Sequence, residues 1–146
     1  MKETAHTLNT VINDFLQNTA SSVNWGNEAA PGKWTNKEII GHLIDSAHIN
    51  LQRFVRCTYE EGFKLIYFQE EWVQAQHYQD ADITHLLKLW ELVNRQIVHV
   101  LQNYPANRTQ IKCDNGRDGP SFNTVEFLAN DYIVHMQHHL NQLTRS

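Results

Sequence analysis

The chain has 146 residues and a mass of 17.1 kDa, enough for one domain whose core needs no disulfide bonds. Hydrophobic residues make up 41% and charged residues 19% of the chain, which excludes a disordered protein and a coiled coil. Its net charge of −4 excludes the basic surface of a nucleic-acid-binding protein and the polybasic patch of a membrane-surface protein. Nine histidines are the unusual feature of the composition, and a function has to account for them.

The first predicted helix covers residues 3–17, where apolar residues recur at steps of three and four. A loop over residues 21–34 follows, which contains a Pro-Gly pair and two tryptophans. The second predicted helix has a clear start, because Thr35 followed three residues later by Glu38 is a capping box. Its apolar stripe continues to about Cys57.

A long connection over residues 58–82 separates the second helix from the third, and residues 70–75 within it are predicted to form a short helix. A connection of this length in a small domain is usually functional or a crossover. The third predicted helix covers residues 83–103 and ends at a proline, which cannot continue it. Residues 106–122 are rich in turn-forming residues and predict loops, with one short extended piece at 109–112.

The fourth predicted helix begins near Asn123 or Thr124 and continues to about Leu143, and Asn123 with Glu126 three residues later is a further capping signal. Four amphipathic helices and weak strand signals predict an all-α fold, a four-helix bundle formed by a single domain over residues 1–146. Short first and third connections favour antiparallel neighbours. The long second connection permits a crossover that leaves the second and third helices parallel.

The N-terminal segment and the hydropathy pattern predict neither a secreted nor a membrane-spanning protein. The first 20 residues lack the apolar core and the cleavage site of a signal peptide, and no run of 18 apolar residues is present. Cys57 and Cys113 are far apart and form no C-x-x-C motif. We therefore expect a cytoplasmic protein with two reduced thiols, and a catalytic cysteine is the less favoured alternative.

Among the histidines, His135 and His139 have the informative spacing. They are four residues apart in the fourth predicted helix, so both imidazoles lie on one face, about 6 Å apart along the axis. This spacing lets two imidazoles bind one metal ion, as in helical zinc sites. Both also lie on the apolar line through Tyr132 and Leu143, where an imidazole loses hydration unless a metal or a hydrogen-bond partner replaces it. The alternative is two core histidines that are hydrogen-bonded to neighbouring polar groups.

A third ligand has to come from another helix, and the second helix offers His42 and His48. Periodicity places His48 at the edge of the apolar stripe and His42 on the opposite side, together with Ile49. The stripe alone favours His48, but Ile49 on the far face suggests a helix that is buried on both sides, so both alternatives stay open on this basis. The remaining histidines are predicted to lie at the surface: His6, His77, His85, His99 and His138. For His138, the alternative is a position beside the pair.

Two segments together carry a specific family signature. The first is GKWTNKEIIGHLIDS over residues 32–46, followed by an Arg-Phe pair, and the second is YIVHMQHHLNQL over residues 132–143. Both resemble DinB-like proteins, and more closely their subgroup of metal-dependent hydrolases. The resemblance implies an up-down-down-up four-helix bundle with a long crossover between the second and third helices. It also implies one divalent ion, nickel or zinc, held by His42, His135 and His139.

The sequence departs from this family pattern beside the implied ligand position. Close relatives often show His-His before Leu-Ala-Asp-Ser and a further histidine after the serine. Here Gly41 replaces the first histidine, and Ala47 stands in the place of the other, with His48 one residue later. Neither position is an implied ligand, so the resemblance still predicts the three-histidine site, with different surroundings.

The resemblance and the three histidines together predict a metal-dependent enzyme. Three neutral imidazoles leave a coordination position open, as in catalytic sites, and metal-activated water predicts a hydrolase that acts on a small-molecule substrate. The alternatives are a metal-dependent S-transferase that uses a low-molecular-weight thiol, a non-catalytic metal-binding stress-response bundle, and a metal-free bundle. We expect no nucleic-acid or membrane partner. Loop aromatics and the resemblance favour a homodimer.

Two further residues of the second helix are candidates for the site. Asp45, three residues after His42, is predicted either to orient an imidazole or act as a general base, or else to be a solvated carboxylate. Arg53 lies three turns beyond His42 and is predicted to bind an anionic group of a substrate or cofactor. The alternative for Arg53 is a salt bridge to Glu60-Glu61 or Glu70-Glu71.

Overall fold

Four long helices build the fold in the part of the chain that the computed structural model describes, residues 1–28 and 31–144. They are α1 (Lys2–Asp14), α2 (Asn36–Arg56), α4 (Ile83–Gln102) and α5 (Val125–Leu143), with a short α3 (Gln69–Gln76) between α2 and α4. β1 (Lys112–Asp114) and β2 (Phe122–Thr124) form an antiparallel hairpin before α5. The predicted all-α bundle is confirmed, and α4 and α5 are the third and fourth predicted helices. None of the described helices combines the length and the apolar character that crossing a membrane requires.

Side chains cap the starts of the two helices that matter most for the site. Thr35 Oγ1 accepts from the backbone N–H of Glu38 at 3.2 Å, and the Glu38 carboxylate accepts from the backbone N–H of Thr35 at 2.8 Å, so the predicted capping box is confirmed. Thr124 caps α5 by accepting from the backbone N–H of Phe127. The predicted cap Asn123 is wrong by one residue, because Asn123 still belongs to β2.

The connection between α2 and α4, residues 58–82, is called the strap. It contains the predicted short helix, which the structure gives as α3, and it pairs with the hairpin where the backbone N–H of Leu65 donates to the carbonyl of Asp114 at 2.9 Å. The extended piece predicted at residues 109–112 is displaced. Only its last residue belongs to β1, because turn residues precede it.

Contacts at the two ends of α2 show that it runs parallel to α4. Near its start, Lys37 Nζ donates to the carbonyl of Ala81, just before α4 begins, at 3.0 Å. Near its end, the phenol of Tyr104, just after α4, donates to the carbonyl of Phe54 at 2.8 Å. Two parallel helices that are consecutive in the bundle need a connection that returns along their full length, and the strap supplies it.

The other two long helices run in the opposite direction. On α5, Tyr132 packs against Phe54 with ring centroids 6.4 Å apart, whereas the later residue His139 packs against the earlier residue His42. Directly after α1, the Phe15 ring packs against Trp90 with centroids 5.2 Å apart, whereas the earlier residue Asn9 of α1 accepts from the later residue Arg95 of α4. The up-down-down-up topology with its long crossover is therefore confirmed.

The second helix, α2, is buried on two opposite sides because α4 and α5 flank it and α3 of the strap covers it. The expected apolar stripe around Ile40 is buried. On the opposite face His42, Asp45 and Ile49 are buried as well, and His42 and Asp45 are 0% exposed. The two-sided burial that Ile49 suggests in the sequence is the reason that His42 can point into the bundle.

Cys57 and Cys113 are both fully buried, their thiols hydrogen-bond to each other, and neither belongs to the histidine cluster. The hydrogen bond with Cys113 and burial raise the pKa of the Cys57 thiol, so that it stays protonated at neutral pH.

Because both thiols are inaccessible, we expect neither to react with 5,5′-dithiobis(2-nitrobenzoic acid) in the native protein. Two thiols per chain should react after unfolding in guanidinium chloride. The absorbance of the released thionitrobenzoate measures both values. A thiol that reacts within minutes in the native protein would show that this end of the bundle opens, and the buried assignment would then be wrong.

Candidate metal centre

Three histidines from two helices converge in the bundle. His42 lies on α2, and His135 and His139 lie one turn apart on the facing side of α5. The Nε2 atoms of His42 and His135 are 3.2 Å apart, and one ring nitrogen from each of the three residues lies within 4.8 Å of the others. The rings pack edge to face, with centroids 4.6–5.1 Å apart. Three potential nitrogen ligands therefore surround one point.

The remaining histidines lie outside this cluster. His48 is half-buried on α2 but does not belong to the group, so the structure brings His42 rather than His48 to the pair on α5. His138 is exposed and pairs through its Nε2 with the side-chain amide of Gln142 at 3.1 Å. The others are exposed, as predicted: His6, His77, His85 and His99.

Two of the imidazoles have a hydrogen-bond partner at Nδ1. The Tyr67 phenol lies 2.9 Å from His42 Nδ1 and donates to the His42 backbone carbonyl at 3.4 Å, so it accepts the Nδ1–H of the ring. His139 Nδ1 lies 2.8 Å from the side-chain oxygen of Gln142 and donates to it. With the proton on Nδ1 in both rings, each Nε2 carries a lone pair, as a metal ligand must.

Burial keeps the three imidazoles neutral. It lowers the pKa of His42 to about 3 and that of His135 to about 4, and repulsion by neighbouring imidazoles adds to both shifts. Burial also lowers the pKa of His139. Neutral imidazoles bind metal ions without a proton having to leave first. Two nitrogens that bind a zinc-sized ion tetrahedrally at about 2.1 Å lie about 3.4 Å apart, and the observed 3.2 Å fits this geometry.

A cleft of about 960 Å³ opens beside the cluster. Its walls come from the loop before α2, the first turns of α2, the strap and α5, and include Lys33, Trp34, Ile39, Glu70, His139 and Gln142. The Trp34 ring lies 5.0 Å from the His42 ring and separates it from the loop side. His139 is thus the histidine at the cleft, whereas His42 forms the buried side of the cluster.

Comparison with known proteins gives the family of the chain. The sequence profile of the DinB superfamily matches residues 4–143. The chain belongs to the DinB superfamily. Among solved structures, YfiT from Bacillus subtilis superposes with a TM-score of 0.86 at 20% sequence identity, over 98% of this chain and 83% of YfiT. YfiT is described as a probable metal-dependent hydrolase with an unusual four-helix bundle topology. No curated protein sequence matches the chain.

In this DinB-superfamily chain, Asp45 contacts the strap. Its Oδ1 accepts from the Tyr78 phenol at 2.6 Å and from the Gln76 side-chain amide at 3.2 Å, and burial raises the pKa of the carboxyl. Oδ2 is buried and has no hydrogen-bond partner among the described residues. The alternative of a solvated carboxylate is therefore wrong, since the side chain is 0% exposed. Asp45 has no hydrogen bond to the three histidines in the described chain, and its role as a general base stays a prediction.

Arg53 also binds the strap. Its guanidinium is buried and donates to the side-chain oxygen of Asn50 at 3.3 Å and to the backbone carbonyl of Leu65 at 2.8 Å. None of the ion pairs in the described part of the chain involves Arg53, and Glu60 pairs with Arg56 instead. Arg53 does not line the cleft at the histidines. Binding of an anionic group by Arg53 stays a prediction, and its contacts make it an anchor for the strap.

Two residues that contact the cluster are not singled out by the sequence as site residues. Gln142 is three residues after His139, a spacing at which helical side chains meet, so the helix could have indicated it. Tyr67 comes from the strap, 25 residues from its partner His42. Its position depends on the path of the strap over the bundle, for which the sequence carries no local signal.

A contact with the strap explains why the residue before His42 is a glycine, Gly41. The Tyr78 ring lies on Gly41 so closely that a Cβ at this position would overlap it. A histidine, which close relatives of the DinB-like pattern often carry here, would occupy the space of the Tyr78 ring. The departure from the family pattern therefore goes together with the contact between Tyr78 and Asp45.

Proposed function

We propose that the chain is a metal-dependent hydrolase in which His42, His135 and His139 hold one divalent cation, zinc or nickel, beside a cleft for a small-molecule substrate. The observation that carries this proposal is the convergence of three neutral imidazoles at the wall of an open cleft. Imidazole nitrogens suit both ions. Three protein ligands leave a coordination position free, which is typical of catalytic rather than structural sites.

A divalent ion in such a site supplies Lewis-acid chemistry and lowers the pKa of water toward neutrality. The residues of the chain supply the surroundings. Tyr67 and Gln142 hold two of the imidazoles in the orientation that a ligand needs. Trp34 and Ile39 offer an apolar wall, while Lys33 and Glu70 offer charged groups at the cleft. Because His42 is buried, substrate and water reach the cluster from the side of His139.

The cleft favours this proposal over a non-catalytic metal-binding bundle, for which a buried ion without an adjoining cleft is expected. The contacts of Arg53 give no support to an S-transferase whose thiol cofactor binds there, because the guanidinium is engaged with Asn50 and Leu65. The hydrolase is therefore the function that the site supports best.

The proposal predicts hydrolysis that depends on one ion per chain. Protein loaded with zinc or nickel should cleave members of a panel of small esters and amides, and the chelator EDTA should abolish turnover. His139→Ala should lower kcat/KM at least about 100-fold, because one of the three ligands is lost. His99→Ala, which removes an exposed histidine of α4, should leave kcat/KM within about twofold.

Two results would contradict the hydrolase. The first is a protein that binds one ion per chain but turns over no member of the panel. The second is activity seen only when a low-molecular-weight thiol and the electrophile 1-chloro-2,4-dinitrobenzene are supplied together, which would identify a thiol transferase instead.

A further inference from the structure

Tyr67 is the residue of the strap that reaches the histidine cluster. Its phenol oxygen lies 2.9 Å from His42 Nδ1 and donates its own proton to the His42 backbone carbonyl at 3.4 Å. The two rings lie nearly parallel, with an interplanar angle of 13° and centroids 5.6 Å apart. Trp72 of α3 packs against the edge of the Tyr67 ring at 6.0 Å. The phenol is thus fixed on one side of His42 and acts toward the ring as an acceptor.

Two tautomers of His42 compete, and only one of them presents a lone pair to the cluster. With the proton on Nδ1, Tyr67 accepts it and Nε2 keeps its lone pair toward the cluster. With the proton on Nε2, that nitrogen donates to His135 Nε2 at 3.2 Å, and the two rings satisfy each other. The second arrangement removes the lone pair from the metal position. Because the phenol of Tyr67 directs its single proton to the His42 backbone carbonyl, it can pair with the ring only as an acceptor, which favours the first tautomer.

The strap holds the phenol in place at two further points. Upstream of Tyr67, Arg53 donates to the carbonyl of Leu65. Downstream, Tyr78 and Gln76 both donate to the buried carboxyl of Asp45. These anchors lie on α2, the helix that carries His42, so the distance from the phenol to the imidazole is set within one rigid unit.

We propose that Tyr67 is a positioning residue for His42: it selects the tautomer whose Nε2 can bind a metal ion, and it thereby couples the docking of the strap to metal binding. The inference rests on the proposed function for the identity of the cluster as a metal site. The tautomer itself is a property of the protein without any ion. The docked strap and the ligating tautomer therefore stabilise each other, and an ion that binds His42 also favours the docked strap.

The first test compares Tyr67→Phe with a matched variant. Tyr104→Phe also removes a phenol that donates to a backbone carbonyl, but at the opposite end of α2. Titration with Zn²⁺ should give a dissociation constant about 10- to 100-fold higher for Tyr67→Phe, the usual effect of losing a group that orients a ligand. Tyr104→Phe should lower the unfolding temperature and leave zinc affinity within about twofold. Equal zinc affinity of Tyr67→Phe and the unmodified protein would overturn the proposal.

The second test reads the tautomer directly in metal-free protein. Long-range ¹H–¹⁵N correlation spectra distinguish Nδ1–H from Nε2–H in each histidine. His42 should be in the Nδ1–H form in the unmodified protein and in Tyr104→Phe, and should shift to the Nε2–H form in Tyr67→Phe. An Nε2–H tautomer in the unmodified protein, or an unchanged Nδ1–H tautomer in Tyr67→Phe, would overturn the proposal. Because no ion is present, a failure of the proposed metal site alone would leave this result intact.

Discussion

Replacing His42 with alanine is expected to lower the affinity for Zn²⁺ or Ni²⁺ about 100- to 1,000-fold. His42 provides the cluster's potential ligand nitrogen from α2, and the other two come from α5, where His135 and His139 lie one turn apart. Structural zinc sites with four protein ligands bind with about 10–16 kcal/mol, so one ligand accounts for about 3–4 kcal/mol, or a roughly 100- to 1,000-fold loss of affinity. Isothermal titration calorimetry and metal analysis of the purified protein measure this loss.

The matched control is His48→Ala, on the same helix. His48 is the residue that the apolar stripe of α2 favours, yet it lies outside the cluster. His48→Ala should keep one ion per chain with an affinity within about threefold of the unmodified protein. Since His42 is buried and its loss lowers stability, His139→Ala at the cleft provides a second variant that should fold and still lose the ion. Retention of the ion by His42→Ala together with its loss in His48→Ala would reverse the ligand assignment.

Replacing Gly41 with alanine is expected to lower the free energy of unfolding by about 2–6 kcal/mol, although only one methyl group is added. The new Cβ would overlap the ring of Tyr78, a buried residue of the strap. Overpacking of this kind costs about 1–3 kcal/mol. Displacement of Tyr78 would also take away the phenol that donates to the buried carboxyl of Asp45, which adds about 1–3 kcal/mol. Denaturation by guanidinium chloride measures the sum.

A double-mutant cycle separates this steric effect from a general effect of the helix. In Tyr78→Ala the ring is absent, so adding Gly41→Ala should cost less than about 0.5 kcal/mol further. Gly26→Ala is the control for a glycine without crowding, because the nearest atom to its Cβ would be Asn24 Oδ1 at 4.0 Å. Additive effects of Gly41→Ala and Tyr78→Ala would show that the overlap is not the cause of the instability.

The fold is largely predictable because its determinants are local. Apolar periodicity gives the four long helices, and the reciprocal bonds of Thr35 and Glu38 give the start of α2. The length of the connection at residues 58–82 permits parallel neighbours, which the structure confirms. The predicted boundary of a helix is wrong where strand pairing competes with the local capping signal. Asn123 is the example, since the hairpin takes it as a strand residue and leaves Thr124 as the helix cap.

The site is predictable only in part, because two helices and the strap meet there. Spacing alone indicates His135 and His139, since both lie on one face of one helix. Periodicity favours His48 over His42, because a single stripe describes a helix with one buried side and α2 has two. The family resemblance, which carries information about the whole fold, points to His42. Asp45 and Arg53 lie on the expected helix, but their partners Tyr78, Gln76 and Leu65 come from a connection whose path no local pattern describes.

The distance along the chain between the ligands has a consequence for the order in which the protein assembles. His42 and His135 are 93 positions apart, and they meet only when α5 has packed against α2. Closing a loop of this length lowers the conformational entropy of the chain, which opposes the contact until the two helices pack. An ion held by the three histidines would therefore have no cluster to bind before α5 has packed against α2. We expect such an ion to slow unfolding far more than it speeds folding, because its contacts would form late in folding and break early in unfolding.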